Sequence, residues 1–368
     1  MTRRAVAIAA AVALCVACKG RNLPPSSRGG INRAPTIPQP TTIVVTPRAL
    51  RSYEMSGYLP LPKAYTRNHE LPPAPWVDLG RTLFYDPRLS KNQDIACDHC
   101  HDLSDYGMDG QAKSDGHKGQ LGKRNAPSVF NAAGHGMQFW DGREPTVEDQ
   151  AKDPVLNPLE MAMPNEQAIV TVLRSIPDYV KDFKTAFPSD AEPITIPNFG
   201  KAVGAFERGL VTPSRWDKFV SGDNSALSPE EQFGFLTFSE VGCPTCHSGQ
   251  LVGGNIFEKL GRSKPWPNQK DKGRQDVTNN ISGNMVFKVA SLRNVEKTGP
   301  YFHDASSTKL EDAVHRMAEY QLGVLLKPDQ VAAIVTWLKT LTGQIDQEYI
   351  KEPALPKSSD STPKPDPS

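Results

Sequence analysis

Two short stretches carry the chemistry of this chain: Cys97-Asp98-His99-Cys100-His101 and Cys243-Pro244-Thr245-Cys246-His247. Each reads C-x-x-C-H, the attachment signature of a c-type haem. The two thiols add to the two vinyl groups of the porphyrin, and the two-residue spacer sets their separation. The histidine that follows, His101 or His247, brings an imidazole under the ring to ligate the iron. The four cysteines also admit a four-thiolate zinc site, or a redox dithiol in either pair. Neither alternative needs a histidine directly after each pair. With 8 histidines in 368 residues, chance places one there in roughly 2% of cases. Its presence after both pairs favours two covalently bound haem c groups.

Composition narrows the partners and the compartment. The 42 basic residues balance 41 acidic ones, which gives no case for nucleic acid. Arg3 and Arg4 precede an apolar run from Ala5 to Ala17, of signal-peptide rather than membrane-spanning length. The run ends in Cys15-Val16-Ala17-Cys18, so residues 1–18 read as an export signal. It resembles a bacterial lipoprotein signal, which implies a lipid anchor at Cys18; Cys15 stands where leucine is usual. A soluble secreted form is the alternative. Arg3-Arg4 also has the look of a twin-arginine signal, but its flanks fit poorly. Export to the periplasm agrees with c-type haem, which bacteria attach outside the cytoplasm. Of the six cysteines, two then belong to the signal and four to thioether bonds, leaving no structural disulfide.

The elements that must position these motifs are mainly α-helical. Residues 19–50, rich in Pro, Ser, Arg and Thr, read as a flexible tether, and 351–368 as a disordered tail. Between them lie a first haem domain, 51–225, and a second, 226–350. The stretch from Pro75 to Phe84 has helical spacing at Leu79, Leu83 and Phe84. Residues 103–135 read as a long loop containing His117, and loops of that length are usually functional. Residues 165–187 and 198–211 read as helices. Ser228-Pro229-Glu230-Glu231 is a helix start, with a capping serine and proline at the first helical position. That helix delivers the second motif. After a loop-rich 251–298, Thr308 to Gly323 is an amphipathic helix with Leu310, Val314 and Met317 on one face, closed by Gly323. Pro328 to Gly343 is the last. The fold class is mainly α: two cytochrome c-like domains, each with one covalently bound haem, joined by long loops.

A resemblance rests on longer motifs in order. They are Asp86-Pro87-Arg88-Leu89-Ser90, Lys123-Arg124-Asn125-Ala126-Pro127-Ser128 and Gln138-Phe139-Trp140-Asp141-Gly142-Arg143. Then come Leu159-Glu160-Met161-Ala162-Met163-Pro164, Ala205-Phe206-Glu207-Arg208, Ser291-Leu292-Arg293-Asn294 and Pro300-Tyr301-Phe302-His303-Asp304. From about Leu79 to Gly343 the chain resembles the bacterial di-haem cytochrome c peroxidase family, which includes the MauG-type enzymes.

The resemblance implies an enzyme that reduces hydrogen peroxide to water with electrons from a small cytochrome c or cupredoxin. It places Met317 on the second iron opposite His247, where a soft thioether favours the ferrous state and a high potential. It makes His117 the removable sixth ligand of the first iron, with Gly116 and Gly119 suited to a segment that moves. Glu160 is the implied acid–base residue for cleaving the O–O bond, with Gln150 as a polar orienting group. Glu148 and Glu166 are assigned to exposed helix ends. Trp140 resembles the tryptophan between the haems, and His303 is placed beside the second haem without ligating it. A calcium ion is implied at the Asn125 side chain and the Thr298 and Pro300 carbonyls. Family members are commonly dimers. Taken from the residues alone, Met317, His117, Glu160 and Trp140 read as core methionine, loop histidine, surface carboxylate and core aromatic. Two other functions stay open: MauG-like oxidation of a partner protein's residues, which Met317 in place of a tyrosine ligand opposes, and a non-enzymatic di-haem electron carrier or sensor.

Overall fold

The computed structural model describes residues 41–368. The signal, Cys18 and the tether up to residue 40 lie outside the described residues. Among those described, eight α-helices have six or more residues: α1 (Ala74–Phe84), α2 (Glu166–Arg174), α3 (Pro177–Ala186), α4 (Ile196–Glu207), α5 (Arg215–Val220), α6 (Pro229–Val241), α7 (Leu310–Arg316) and α8 (Pro328–Leu338). Two three-residue strands, β1 (Phe257–Lys259) and β2 (Val286–Lys288), pair antiparallel within the loop-rich 251–298.

The two halves repeat one packing device. The helix that leads into each C-x-x-C-H crosses the last helix of its own core, and a glycine lets the two backbones touch. A Cβ on Gly80 of α1 would lie 1.9 Å from the Ala202 carbonyl oxygen of α4. A Cβ on Gly234 of α6 would lie 2.1 Å from the Ala333 oxygen of α8. Around the first crossing packs a core of Leu79, Leu83, Phe84, Tyr179, Phe183, Phe199 and Phe206. Around the second pack Trp216, Phe235, Phe238, Ile334 and Trp337. A third, smaller cluster of Trp266, Met285 and Phe287 is separate from both, and more than one core is expected of a chain this long.

Several expected boundaries move. Ser228 does cap α6, in a reciprocal capping box with Glu231, because the signal is local. The stretch 165–187 is two helices, broken ahead of Pro177, whose ring removes a helical hydrogen bond. The amphipathic helix at 308–323 is regular only to Arg316; Met317–Leu322 widen into a π turn, closed by Gly323 in the left-handed conformation. Residues 41–50 are not free tether: Thr41 bridges Val324, and Ile43 and Leu50 pack on the second core. Tyr58 and α5 also belong to the second core, whereas Ile345, Tyr349 and Ile350 belong to the first. The cores therefore exchange segments at both expected borders.

The 351–368 segment is not disordered either. It has no regular secondary structure, yet it is fixed along the first core. Arg88 Nη1 donates to the Pro356 carbonyl at 2.7 Å and Gln93 Nε2 to that of Pro363 at 2.8 Å. Ser359 Oγ donates to the Ser175 carbonyl at 2.7 Å. Composition promised no apolar face, and the order comes instead from backbone carbonyls meeting side-chain donors.

Candidate functional site: two cavities with a common wall

Each C-x-x-C-H lines its own cavity. Cys97, Cys100 and His101 line the first; Cys243, Cys246 and His247 line the second. The four thiols thus never meet, and among the described residues no three His, Cys, Asp or Glu side chains gather as a metal cluster. Burial pushes all four thiols up. What opposes a four-thiolate zinc site is the placement of the two cysteine pairs in different cavities.

The histidines fit a haem iron. His101 Nδ1 lies 3.3 Å from the Gly107 carbonyl and His247 Nδ1 3.4 Å from that of Val252. An Nδ1–H donated to a carbonyl leaves Nε2 with its lone pair for a metal. Burial lowers both pKa values, that of His247 to about 4, so both rings stay neutral as ligands must. Met317 lines the second cavity with His247, at the first residue of the π turn; such irregular turns recur at functional sites.

Glu160, Gln150 and Trp140 all line the first cavity. Burial raises the Glu160 carboxyl, while Arg143 and the 2.7 Å bond from Asn157 Nδ2 pull it back. A carboxyl raised above its ordinary value by burial holds a proton more readily, which suits a general acid–base. Trp140 is one of seven residues that line both cavities, with Asn125, Pro127, Ser128, His135, Phe139 and Lys288. Its indole donates to the Asn125 carbonyl at 2.9 Å. Asn125, Thr298 and Pro300 line the second cavity together, and Asn125 Nδ2 is held by the Gln111 carbonyl at 2.8 Å. His303 lines this cavity too, stacked on Phe287 at 4.2 Å between ring centroids.

His117 is the exception. Ser114, Asp115 and Gly116 line the first cavity, but His117 does not. Its ring is buried, with Nε2 3.3 Å from the Ser368 main-chain oxygen. Gly116 fits tightly, since a Cβ there would lie 2.0 Å from the Leu159 oxygen. Lys118 and Gly119 follow in the left-handed region. Glu148 is not at an exposed helix end: it takes two hydrogen bonds from Arg208, at 2.6 and 2.9 Å. Glu166 is exposed at the start of α2.

Sequence reasoning missed two features of these walls. Glu207 lines the first cavity, and burial lifts its carboxyl to about 8. The signal was available: it follows Val203 by four residues, on the apolar face of α4. Lys288 and His135 were also missed, and no local pattern marks them.

Two thiol-and-histidine cavities sharing a wall define a c-type di-haem protein. Comparisons make this specific. Residues 74–225 match the family described as di-haem cytochrome c peroxidase. The cytochrome c551 peroxidase of Nitrosomonas europaea is 45% identical over 296 residues, covering 80% of this chain and 87% of that protein. That of Pseudomonas aeruginosa is 39% identical over 324 residues, covering 86% and 92%. A solved MauG-like protein associated with microbial copper homeostasis superposes with a TM-score of 0.68 at 28% identity, covering 83% of this chain and 99% of that one. The chain belongs to the di-haem cytochrome c peroxidase family.

Proposed function

We propose that this protein is a periplasmic peroxidase that reduces hydrogen peroxide to water, taking two electrons from a small cytochrome c or cupredoxin. One observation carries the reading: a half-buried carboxyl with a raised pKa, Glu160, shares a cavity with Cys97, Cys100 and His101. When bound, the haems supply the electrons that O–O cleavage consumes. Glu160 takes a proton from one peroxide oxygen and returns it to the other as that oxygen leaves as water; with two electrons and two further protons, both oxygens end as water. Gln150 orients the peroxide, and the hydrogen bond from Asn157 fixes the carboxyl that moves the proton.

The second cavity receives electrons. Met317 would hold its haem at high potential, and Trp140, on both walls, shortens the path between the two. Asn125, Thr298 and Pro300 offer the oxygen atoms that a calcium ion takes. His117 would serve as the movable ligand of the first haem, a role supported by its neighbours Ser114, Asp115 and Gly116 lining that cavity.

The test is Glu160→Gln in protein loaded with two haems. Peroxide turnover with a reduced small cytochrome should fall about 10³-fold, the usual worth of a general acid–base, with unchanged haem spectra. Unchanged turnover would remove Glu160 from the reaction. No peroxide turnover in the wild type would favour the electron carrier, and peroxide oxidation that persists without donor turnover the MauG-like reading.

A further inference from the structure

Lys288 is a buried ammonium with no counter-ion. It is 8% exposed and its Nζ contacts two uncharged acceptors, His135 Nδ1 at 2.9 Å and the Met137 carbonyl at 3.0 Å. Among the described residues no Asp or Glu pairs with it; Asp141 acts only at a distance. Leaving a charge buried and unpaired is costly, by several kcal/mol in general. Burial lowers its pKa to about 7, as expected of a cation lacking its partner.

An ammonium has three donors and no acceptor, so one N–H of Lys288 is left over. Because His135 Nδ1 accepts from the ammonium, the proton of the neutral ring sits on Nε2. That Nε2 is buried and has no partner. The pair therefore presents one positive charge and two unused N–H donors, and both residues line both cavities. What fits is a carboxylate, which accepts at two oxygens.

We infer that Lys288 and His135 together bind a haem propionate where the two cavities adjoin. The inference rests on the di-haem reading above. Cys97 and Cys100 line only the first cavity, and Cys243 and Cys246 only the second. The common wall thus faces the edges away from the thioether bonds, and propionates lie on the haem edge remote from the vinyl groups. The ammonium offsets the propionate's charge beside the iron, which favours the reduced state. Lys288 is in this sense a residue that tunes the potential of one haem.

The experiment is a spectroelectrochemical titration of Lys288→Gln, with two haems per chain verified by pyridine haemochrome. The midpoint of one haem should fall so that its reduction equilibrium constant drops at least tenfold, 59 mV for a one-electron couple. The propionate bending band in the resonance Raman spectrum should move in the same variant, and Lys288→Arg should restore part of both. His135→Leu, which keeps the charge but removes the second donor, should move the Raman band with a smaller change in midpoint. It also serves if Lys288→Gln does not take up haem. Two haems bound with both midpoints and the Raman band as in the wild type overturn the inference and leave the di-haem reading intact. A wild-type protein that binds fewer than two haems overturns that reading, and this inference with it.

Discussion

His117 Nε2 lies 3.3 Å from the main-chain oxygen of Ser368, and Lys91 Nζ reaches the same oxygen at 2.7 Å. The 351–368 segment thus ends over the imidazole proposed as the movable ligand. Its anchors lie upstream at Arg88, Gln93 and Ser175, so the end is held by contacts independent of His117.

Removing residues 356–368 should free the His117 ring to swing into the first cavity. In the oxidised, haem-loaded protein, the first haem should change from high-spin to low-spin in optical and EPR spectra. His117→Gly in the shortened chain should return it to high-spin. A shortened chain with the wild-type spectrum would show that this segment does not hold the ring.

The buried Glu207 makes the fold less stable as pH rises. Its folded pKa, about 8, lies above the usual 4.5. Below pH 4.5 both folded and unfolded states carry the proton and nothing is lost. As pH rises toward 8 the unfolded state ionises first, so stability falls across that window, by a few kcal/mol at most from about 1.4 kcal/mol per unit. Glu207→Gln should melt close to the wild type at pH 4 and above it at pH 9. Thermal unfolding at the two pH values checks this.

Arg293 should be the most costly single charge to remove. Its side chain is 1% exposed, donates to Asp217 Oδ2 at 2.8 Å, and makes two bonds to the Gln250 carbonyl, at 3.0 and 2.7 Å. Asp217 in turn accepts from the Leu61 and Ser214 amides. Arg293→Ala leaves that carboxylate buried and unpaired, a loss of about 3–5 kcal/mol. Denaturant unfolding should register it in the second core.

The helix crossings should behave alike in the two halves. Gly80→Ala and Gly234→Ala each drive a methyl group against a backbone oxygen, and overpacking of this kind costs roughly 1–3 kcal/mol. Because the glycines serve separate cores, the two losses should add within a few tenths of a kcal/mol. Melting of the single and double variants tests both statements.

The haem motifs, the start of α6 at Ser228 and the closure at Gly323 were legible because their physics is local. Two thiols and an imidazole at i, i+3 and i+4, a serine capping an amide three residues on, and a glycine free to adopt positive φ need no knowledge of the rest of the fold. The break ahead of Pro177 is as local, but the apolar period running through it hid it. Tertiary structure alone decided the rest. Lys288 and His135 are 153 residues apart, and only the meeting of two cavities turns them into a carboxylate site. The closing segment, poor in apolar residues, reads as disordered by composition, yet Arg88, Gln93 and Lys91 supply donors that composition cannot anticipate. His117 was visible as a candidate ligand; which way its ring faces depends on contacts with a segment more than two hundred residues further on, and no spacing in a sequence encodes that.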